Sequence, residues 1–135
     1  MAGGLLTGKF NRDTDEKGRE GARLSKTRWS PITDEKLDVA EKATEIANEI
    51  GCSTAQVALS WMRQSDRATV IPIIGAKTVD QLKDNLGCVE VELTDAQIQA
   101  LNEIGAPTLV YPANLLVNPR IKQMIHGEMA DKIDI

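Results

Sequence analysis

Aromatic side chains are scarce in this chain: Phe10, Trp29, Trp61 and Tyr111 make up 3% of its 135 residues. Surfaces that hold nucleic acid by stacking bases need several rings on one face, so that class is disfavoured. No excess of positive charge compensates. The 16 Lys and Arg are outnumbered by 20 Asp and Glu, and the net charge of −4 is spread with both signs interspersed, unlike a phosphate-binding surface. The two cysteines, Cys52 and Cys88, form no C-x-x-C pair. They read as small buried hydrophobes in a reducing compartment rather than a disulfide or zinc framework. No apolar run approaches the roughly 20 residues needed to cross a bilayer, and no basic-then-apolar leader opens the chain. The expected setting is the cytoplasm. What remains, 41% apolar and 27% charged residues, is ordinary globular composition, and the length suits one domain.

The opening stretch, MAGGLLTGKF, contains Gly3, four residues, then Gly8 and Lys9. This is the spacing of a phosphate-binding P-loop up to its last position. There the motif needs a Ser or Thr hydroxyl for Mg²⁺, and this chain has Phe10. The residues that follow, NRDTDEKGREGARLSK, are charged and lack apolar periodicity, so no amphipathic helix completes the motif. An ATP site is therefore disfavoured. A glycine turn at a frayed terminus and a phosphate-facing loop of another kind both stay open.

Helical signals dominate after the Trp29-Ser30-Pro31 stretch. Leu37, Ala40, Ala43, Ile46, Ala47 and Ile50 recur at helical spacing, and Gly51 is placed to end the run. Ser53-Thr54-Ala55-Gln56 is a capping box. It opens a second helix through Val57, Leu59, Trp61 and Met62, apolar on two faces and so expected to be deeply buried. TVIPIIG, Thr69 to Gly75, is β-branched and nearly all apolar, which predicts a strand buried on both faces of a parallel sheet. Pro72 is awkward there because it cannot donate to a ladder. Two more boxes, Thr78 to Gln81 and Thr94 to Gln97, open helices through Leu82 and Leu86, and through Ile98, Leu101 and Ile104, with Gly105 as a stop. From Ala106 onward the tail carries Pro107, Pro112 and Pro119 and is expected to be mostly irregular, with Asn118-Pro119 capping a weak last helix. About five helices and a single parallel-type strand do not make a sheet, so the strand must pair elsewhere.

The stretch IPIIGAKTVDQLKDNLG, residues 71 to 87, is the richest in candidate site residues. In parallel α/β folds, ligands collect where strands end and helices begin. Gly75 permits close backbone approach there, and Lys77 adds a positive charge. Gln81, Asp84 and Asn85 can share one side of the following helix. Each residue also has a plain structural reading. Gln81 would only close its capping box, Asp80 and Asp84 would only favour a helix N-terminus, Asn85 would be a helix-end residue, and Lys77 a solvated charge.

Taken in order, GGLLTGKF, TAQVALSW, VIPIIGAKTVDQLKDNLG and ELTDAQIQALNEI resemble the C-terminal part of the aldo-keto reductases. The similarity is closest to the bacterial branch related to potassium-channel β-subunits. It covers roughly residues 2 to 105, and VYPANLL in the tail is also familiar from bacterial members. The resemblance implies a (β/α)₈ barrel of the α/β class, of which this chain would be a C-terminal fragment, mostly helical and keeping about one barrel strand. Residues 1–105 would form the cofactor-binding part and 106–135 the tail.

The resemblance further implies NADP(H) as cofactor and an aldehyde or ketone as substrate. Ala2, Gly3 and Gly4 would approach the pyrophosphate, with Lys9 neutralising phosphate charge and Arg23 lying over the cofactor in a closing loop. Gly75 and Lys77 would meet the 2′-phosphate and ribose, and Gln81, Asp84 and Asn85 the adenosine end. Asp84 stands where family members often have Glu, and Lys77 where they often have Ser or Arg; the lysine favours NADP over NAD.

Catalysis in the family belongs to a Tyr general acid supported by Lys, Asp and His. Those groups lie in an N-terminal half that this chain is not expected to contain; the chain would start just past the seventh strand. Tyr111 beside Pro112 and His126 beside Gly127 have no such surroundings, so no catalytic residue and no metal ligand is assigned. The chain alone is expected to be inactive. The alternative is a non-enzymatic truncated helical module that self-associates through exposed barrel surfaces or binds a partner.

Overall fold

The computed structural model describes residues 2–10, 12, 32–66 and 68–132. The chain divides into two compact units, Met1–Gly105 and Ala106–Ile135.

The first unit is built on four helices: α1 (Asp34–Ile50), α2 (Thr54–Arg63), α3 (Val79–Leu86) and α4 (Asp95–Ile104). Their starts follow from local chemistry. Thr33, Ser53, Thr78 and Thr94 each accept, through the side-chain oxygen, a backbone N–H of the first turn, satisfying a donor that the helix leaves unpaired. Asp34 and Glu35 favour the positive end of α1. Gly51 ends α1 in the left-handed conformation, φ 81°, with its N–H on the Ala47 carbonyl, a backbone state that L side chains resist.

Two apolar clusters hold this unit together. In one, Ala43, Ile46 and Ala47 of α1 pack with Val57 of α2, Leu101 of α4, and Val91 and Leu93 of the preceding loop. Trp61, Ile98 and Cys52 close its margin. In the other, Leu5 and Phe10 of the opening segment pack on Leu37 and Ala40 of α1. Phe10, the residue that breaks the P-loop pattern, is 2% exposed. Its ring anchors the glycine loop to α1. Arg12 adds ion pairs to Asp38 and Glu41 of the same helix.

The loop between α3 and α4 is fastened to α2 by side chains. Ser60 Oγ donates to the Cys88 carbonyl at 2.9 Å. Gln64 donates to the Val91 carbonyl and accepts the Leu93 N–H, both at 3.1 Å. Gln64 thus offers residues 91 and 93 the pairing that a neighbouring strand would supply.

The expected strand at 69–75 does not form, and no strand occurs among the described residues. Exposure alternates along it: Ile71 and Ile73 are exposed while Pro72 and Ile74 are half-buried. A parallel strand needs at least one neighbouring strand to pair its backbone. No described segment supplies one, and Pro72 has no N–H to give. Helix α3 also departs from expectation, since Leu82 and Leu86 are exposed and its one buried residue is Asn85.

The second unit is more ordered than the prolines suggested. It holds α5 (Ala113–Leu116), α6 (Pro119–His126) and a 3-10 segment, Gly127–Lys132. Asn118 caps α6 by accepting the Arg120 N–H at 3.0 Å, with Pro119 at the first helical position, where its missing donor costs nothing. Neither helix of this unit has a buried residue.

Candidate functional site

The opening segment, Ala2–Thr7, is a pair of tight turns broken by non-helical residues. Gly3 and Gly4 have φ of 68° and 103°, and Gly8 follows at 75°. Positive φ at each of these positions explains the glycines. Thr7 Oγ1 donates to the Gly4 carbonyl at 2.6 Å and fixes the turn. Lys9 is exposed. Arg23 lies outside the described residues.

On the other side of the candidate site, Gly75 and Lys77 are exposed, and a Cβ on Gly75 would meet nothing within 4 Å. Thr78 caps α3, but Gln81 does not complete the reciprocal box predicted for it. Its Oε1 reaches one residue further back and accepts the Lys77 N–H at 2.9 Å. Gln81 therefore fixes the backbone at Lys77. Gln81 and Asp84 are exposed while Asn85 is 5% exposed, so the three do not share one solvent-facing side. The Asn85 side chain makes no hydrogen bond among the described residues, although buried amides nearly always find a partner.

The two halves of the candidate site meet on the N-terminus of α2. A Cβ on Gly8 would stand 3.0 Å from Thr54 Oγ1, so the loop lies directly against that residue. Thr54 is buried and shares a 3.2 Å hydrogen bond with Thr44 of α1. One residue earlier, Ser53 Oγ donates to Asp84 Oδ2 at 3.0 Å. Gln56 Nε2 donates to the Asp84 carbonyl at 2.8 Å. Reading the sequence missed Ser53, Thr54 and Gln56 as parts of the site. The S-T-A-Q pattern signalled a cap, which it is, and nothing local reveals a second set of partners some 30 residues away.

Electrostatics sort the surroundings. Burial pushes the Cys52 thiol above its ordinary pKa and the Asp84 carboxylate adds to this, while a backbone hydrogen bond partly offsets them. Both cysteines are free thiols and half-buried rather than buried. Beside Gly8 an open groove of about 310 Å³ is lined by Phe10, Glu41, Thr44, Glu45 and Asn48. Its carboxylates are paired with Arg12 and Lys42, and no cation is among the described residues that line it. Among the described residues, no group of three or more His, Cys, Asp or Glu could hold a metal ion, and no helix is long and apolar enough to cross a membrane.

The chain is 38% identical over 104 residues to the uncharacterized oxidoreductase YrpG of Bacillus subtilis, covering 77% of this chain and 29% of that protein. It is 35% identical over 111 residues to the L-glyceraldehyde 3-phosphate reductase of Escherichia coli, covering 80% and 28%. A protein of Saccharomyces cerevisiae named as a probable aryl-alcohol dehydrogenase is 30% identical over 118 residues, covering 86% and 35%. The chain thus spans about a third of the length of these relatives. The model of the aldo/keto reductase family matches residues 1–106, which include the glycine loop, α2 and α3 together. On that match, the chain belongs to the aldo/keto reductase family.

Proposed function

We propose that this chain carries the adenosine and pyrophosphate side of an NADP(H) site in a reductase of aldehydes or ketones. The observation that supports it most is the meeting of the glycine loop and α3 on adjacent residues of α2. Thr54 lies against Gly8, and Ser53 bonds Asp84. Two segments far apart in sequence would then face one extended dinucleotide.

The residues present fit such a group. Asn85 has a buried amide with no side-chain partner among the described residues, suited to an adenine edge. Lys77 and Lys9 are exposed cations that would meet the 2′-phosphate and the pyrophosphate, and Gly75 leaves space for close approach. The turns at Gly3 and Gly4 would let the backbone approach the pyrophosphate. NADPH supplies the hydride in such a reaction, while these residues bind and orient its far end. The one Tyr and one His in the sequence, Tyr111 and His126, fall in the second unit, and no role in proton transfer is assigned to them. The chain by itself is therefore proposed to bind the nucleotide without reducing carbonyls.

Calorimetric titration of the chain with NADP⁺ and NAD⁺ tests this. NADP⁺ should bind more tightly than NAD⁺, and Lys77→Ala should remove most of the difference. Equal affinity for both, unchanged by Lys77→Ala, would count against the reading. Oxidation of NADPH with an aldehyde by the purified chain would refute the absence of activity.

A second reading rests on the apolar residues left in solvent. Ile71 and Ile73 are 83% and 101% exposed, and Val79, Leu86 and Val89 are also exposed. Exposed apolar side chains in such number favour association. Under this reading the chain forms oligomers with no nucleotide affinity, and sedimentation over a range of concentrations would reveal a shift that Ile73→Lys abolishes.

A further inference from the structure

Ser53 and Gln56 were expected only to cap α2, and each does so. Ser53 Oγ accepts the Gln56 N–H at 3.1 Å, and Gln56 Oε1 accepts the Ser53 N–H at 3.2 Å. That uses only the acceptor capacity of both side chains. A hydroxyl and a primary amide also donate, and here one donor from each goes to a single residue of another helix. Ser53 donates to the Asp84 carboxylate, and Gln56 to the Asp84 carbonyl. Asp84 is thereby held by side chain and backbone together. The neighbouring residues are arranged around this link. A Cβ on Gly87 would stand 2.3 Å from Gln56 Nε2, so glycine leaves the amide room to reach Asp84.

We infer that Ser53 and Gln56 are positioning residues, which fix the angular setting of α3 through Asp84 and so aim Asn85 and Asp84 for the nucleotide. The inference rests on the cofactor site proposed above. An eight-residue helix is too short to hold its conformation unaided, and its apolar residues Leu82 and Leu86 are exposed. Apolar packing therefore contributes little to setting its orientation. Two hydrogen bonds to one residue do what the missing packing does not. The same link shapes recognition, because Ser53 occupies Asp84 Oδ2 and directs one of the two carboxylate oxygens away from any ligand.

The test separates capping from positioning. Gln56→Glu keeps the acceptor that closes the capping box, since Glu serves that position well, but removes the donor to Asp84. Ser53→Gly largely preserves the cap, since glycine is tolerated at that position, and removes the second donor, whereas Ser53→Thr keeps the hydroxyl. The 135-residue chain is titrated with NADP⁺ at moderate ionic strength, which keeps the lysine–phosphate attraction, and Ser53→Gly, which adds no charge, controls for the new anion of Gln56→Glu. Amide hydrogen exchange is followed separately without nucleotide.

Gln56→Glu and Ser53→Gly should each weaken NADP⁺ binding roughly three- to tenfold, the worth of one hydrogen bond. Ser53→Thr should stay within about twofold of wild type. Exchange should quicken at the α3 amides while those of α1 and α4 keep wild-type protection. Wild-type affinity in both donor-less variants would overturn the inference while leaving the cofactor site standing. So would a loss in Ser53→Thr equal to that in Ser53→Gly, or unchanged exchange in α3. No NADP⁺ binding by wild type would remove the site and this inference together.

Discussion

The Trp61 indole N–H donates to Asn102 Oδ1 at 2.8 Å, joining α2 to α4 at the edge of the larger apolar cluster. The ring continues past this bond to the end of α4. A Cβ on Gly105 would stand 2.9 Å from Trp61 Cη2 and 2.9 Å from the Leu101 carbonyl oxygen. The second of these is backbone and cannot swing away. Gly105→Ala should therefore cost about 1–3 kcal/mol by overpacking and change Trp61 fluorescence as the ring shifts. Gly51→Ala is the informative comparison. A Cβ there meets nothing within 4 Å, but φ is 81°, so about 1 kcal/mol is lost to backbone strain alone with the Trp61 environment unchanged. Urea titration followed by fluorescence measures both.

Gln64 supports the loop before α4 by acting as both donor to Val91 and acceptor from Leu93. Arg63 also donates to the Val91 carbonyl, at 3.0 Å, so that acceptor has a second partner. Of the contacts described for it, the Leu93 N–H has only Gln64. Gln64→Ala should destabilise by about 1–3 kcal/mol, chiefly by leaving this N–H unpaired. Gln64→Glu keeps the acceptor and should cost less. Hydrogen exchange at the Leu93 amide should rise in the alanine variant and hold in the glutamate one.

Cys52 gives a prediction with a definite sign. Burial raises its pKa first, and the Asp84 charge raises it further. A thiol raised in the folded state contributes stability that is fully present below the unfolded value, about 8.5. That contribution is lost as pH rises through the higher folded value. Stability should fall above about pH 8.5, and Cys52→Ala should remove that part of the fall. Asp84→Asn takes away the second cause, so alkylation of Cys52 at pH 8 should quicken as thiolate becomes more available. Peptide mapping separates this from Cys88.

What the sequence discloses here follows the range of the interactions. Helix starts depend on residues a few positions apart, so the caps at Ser53, Thr78, Thr94 and Asn118 could be recognised in advance. The strand at 69–75 could not be realised, because a parallel strand is a property of its neighbours. Its β-branched run shows only that the segment suits such surroundings. Asn85 was placed on a shared polar side with Gln81 and Asp84 by helical spacing, which tells how residues are arranged around a helix but not which side is covered. The second set of bonds made by Ser53 and Gln56 escaped notice for a related reason. Local pattern accounts for one role of a polar group, and its other partners are set by tertiary structure.

Phe10 shows how a failed motif becomes a structural anchor. The Gly3 to Lys9 spacing matches a P-loop, and Phe10 stands where the metal-binding hydroxyl would be. Its ring is instead among the largest fully buried side chains, packed with Leu5, Leu37 and Ala40. It also lies under the loop, with one ring carbon 3.9 Å from the Cβ position of Gly4. Phe10→Ser restores the P-loop pattern on paper, yet it should create a cavity and bury a hydroxyl. Phe-to-Ala changes in cores cost about 3–5 kcal/mol, and serine should cost at least as much. Thermal unfolding should fall accordingly, protease cleavage within residues 1–10 should rise, and calorimetry should detect no binding of Mg²⁺–ATP. A stable Phe10→Ser chain that binds Mg²⁺–ATP would mean that the loop is a nucleotide-triphosphate cradle after all, and that Phe10 alone keeps it closed.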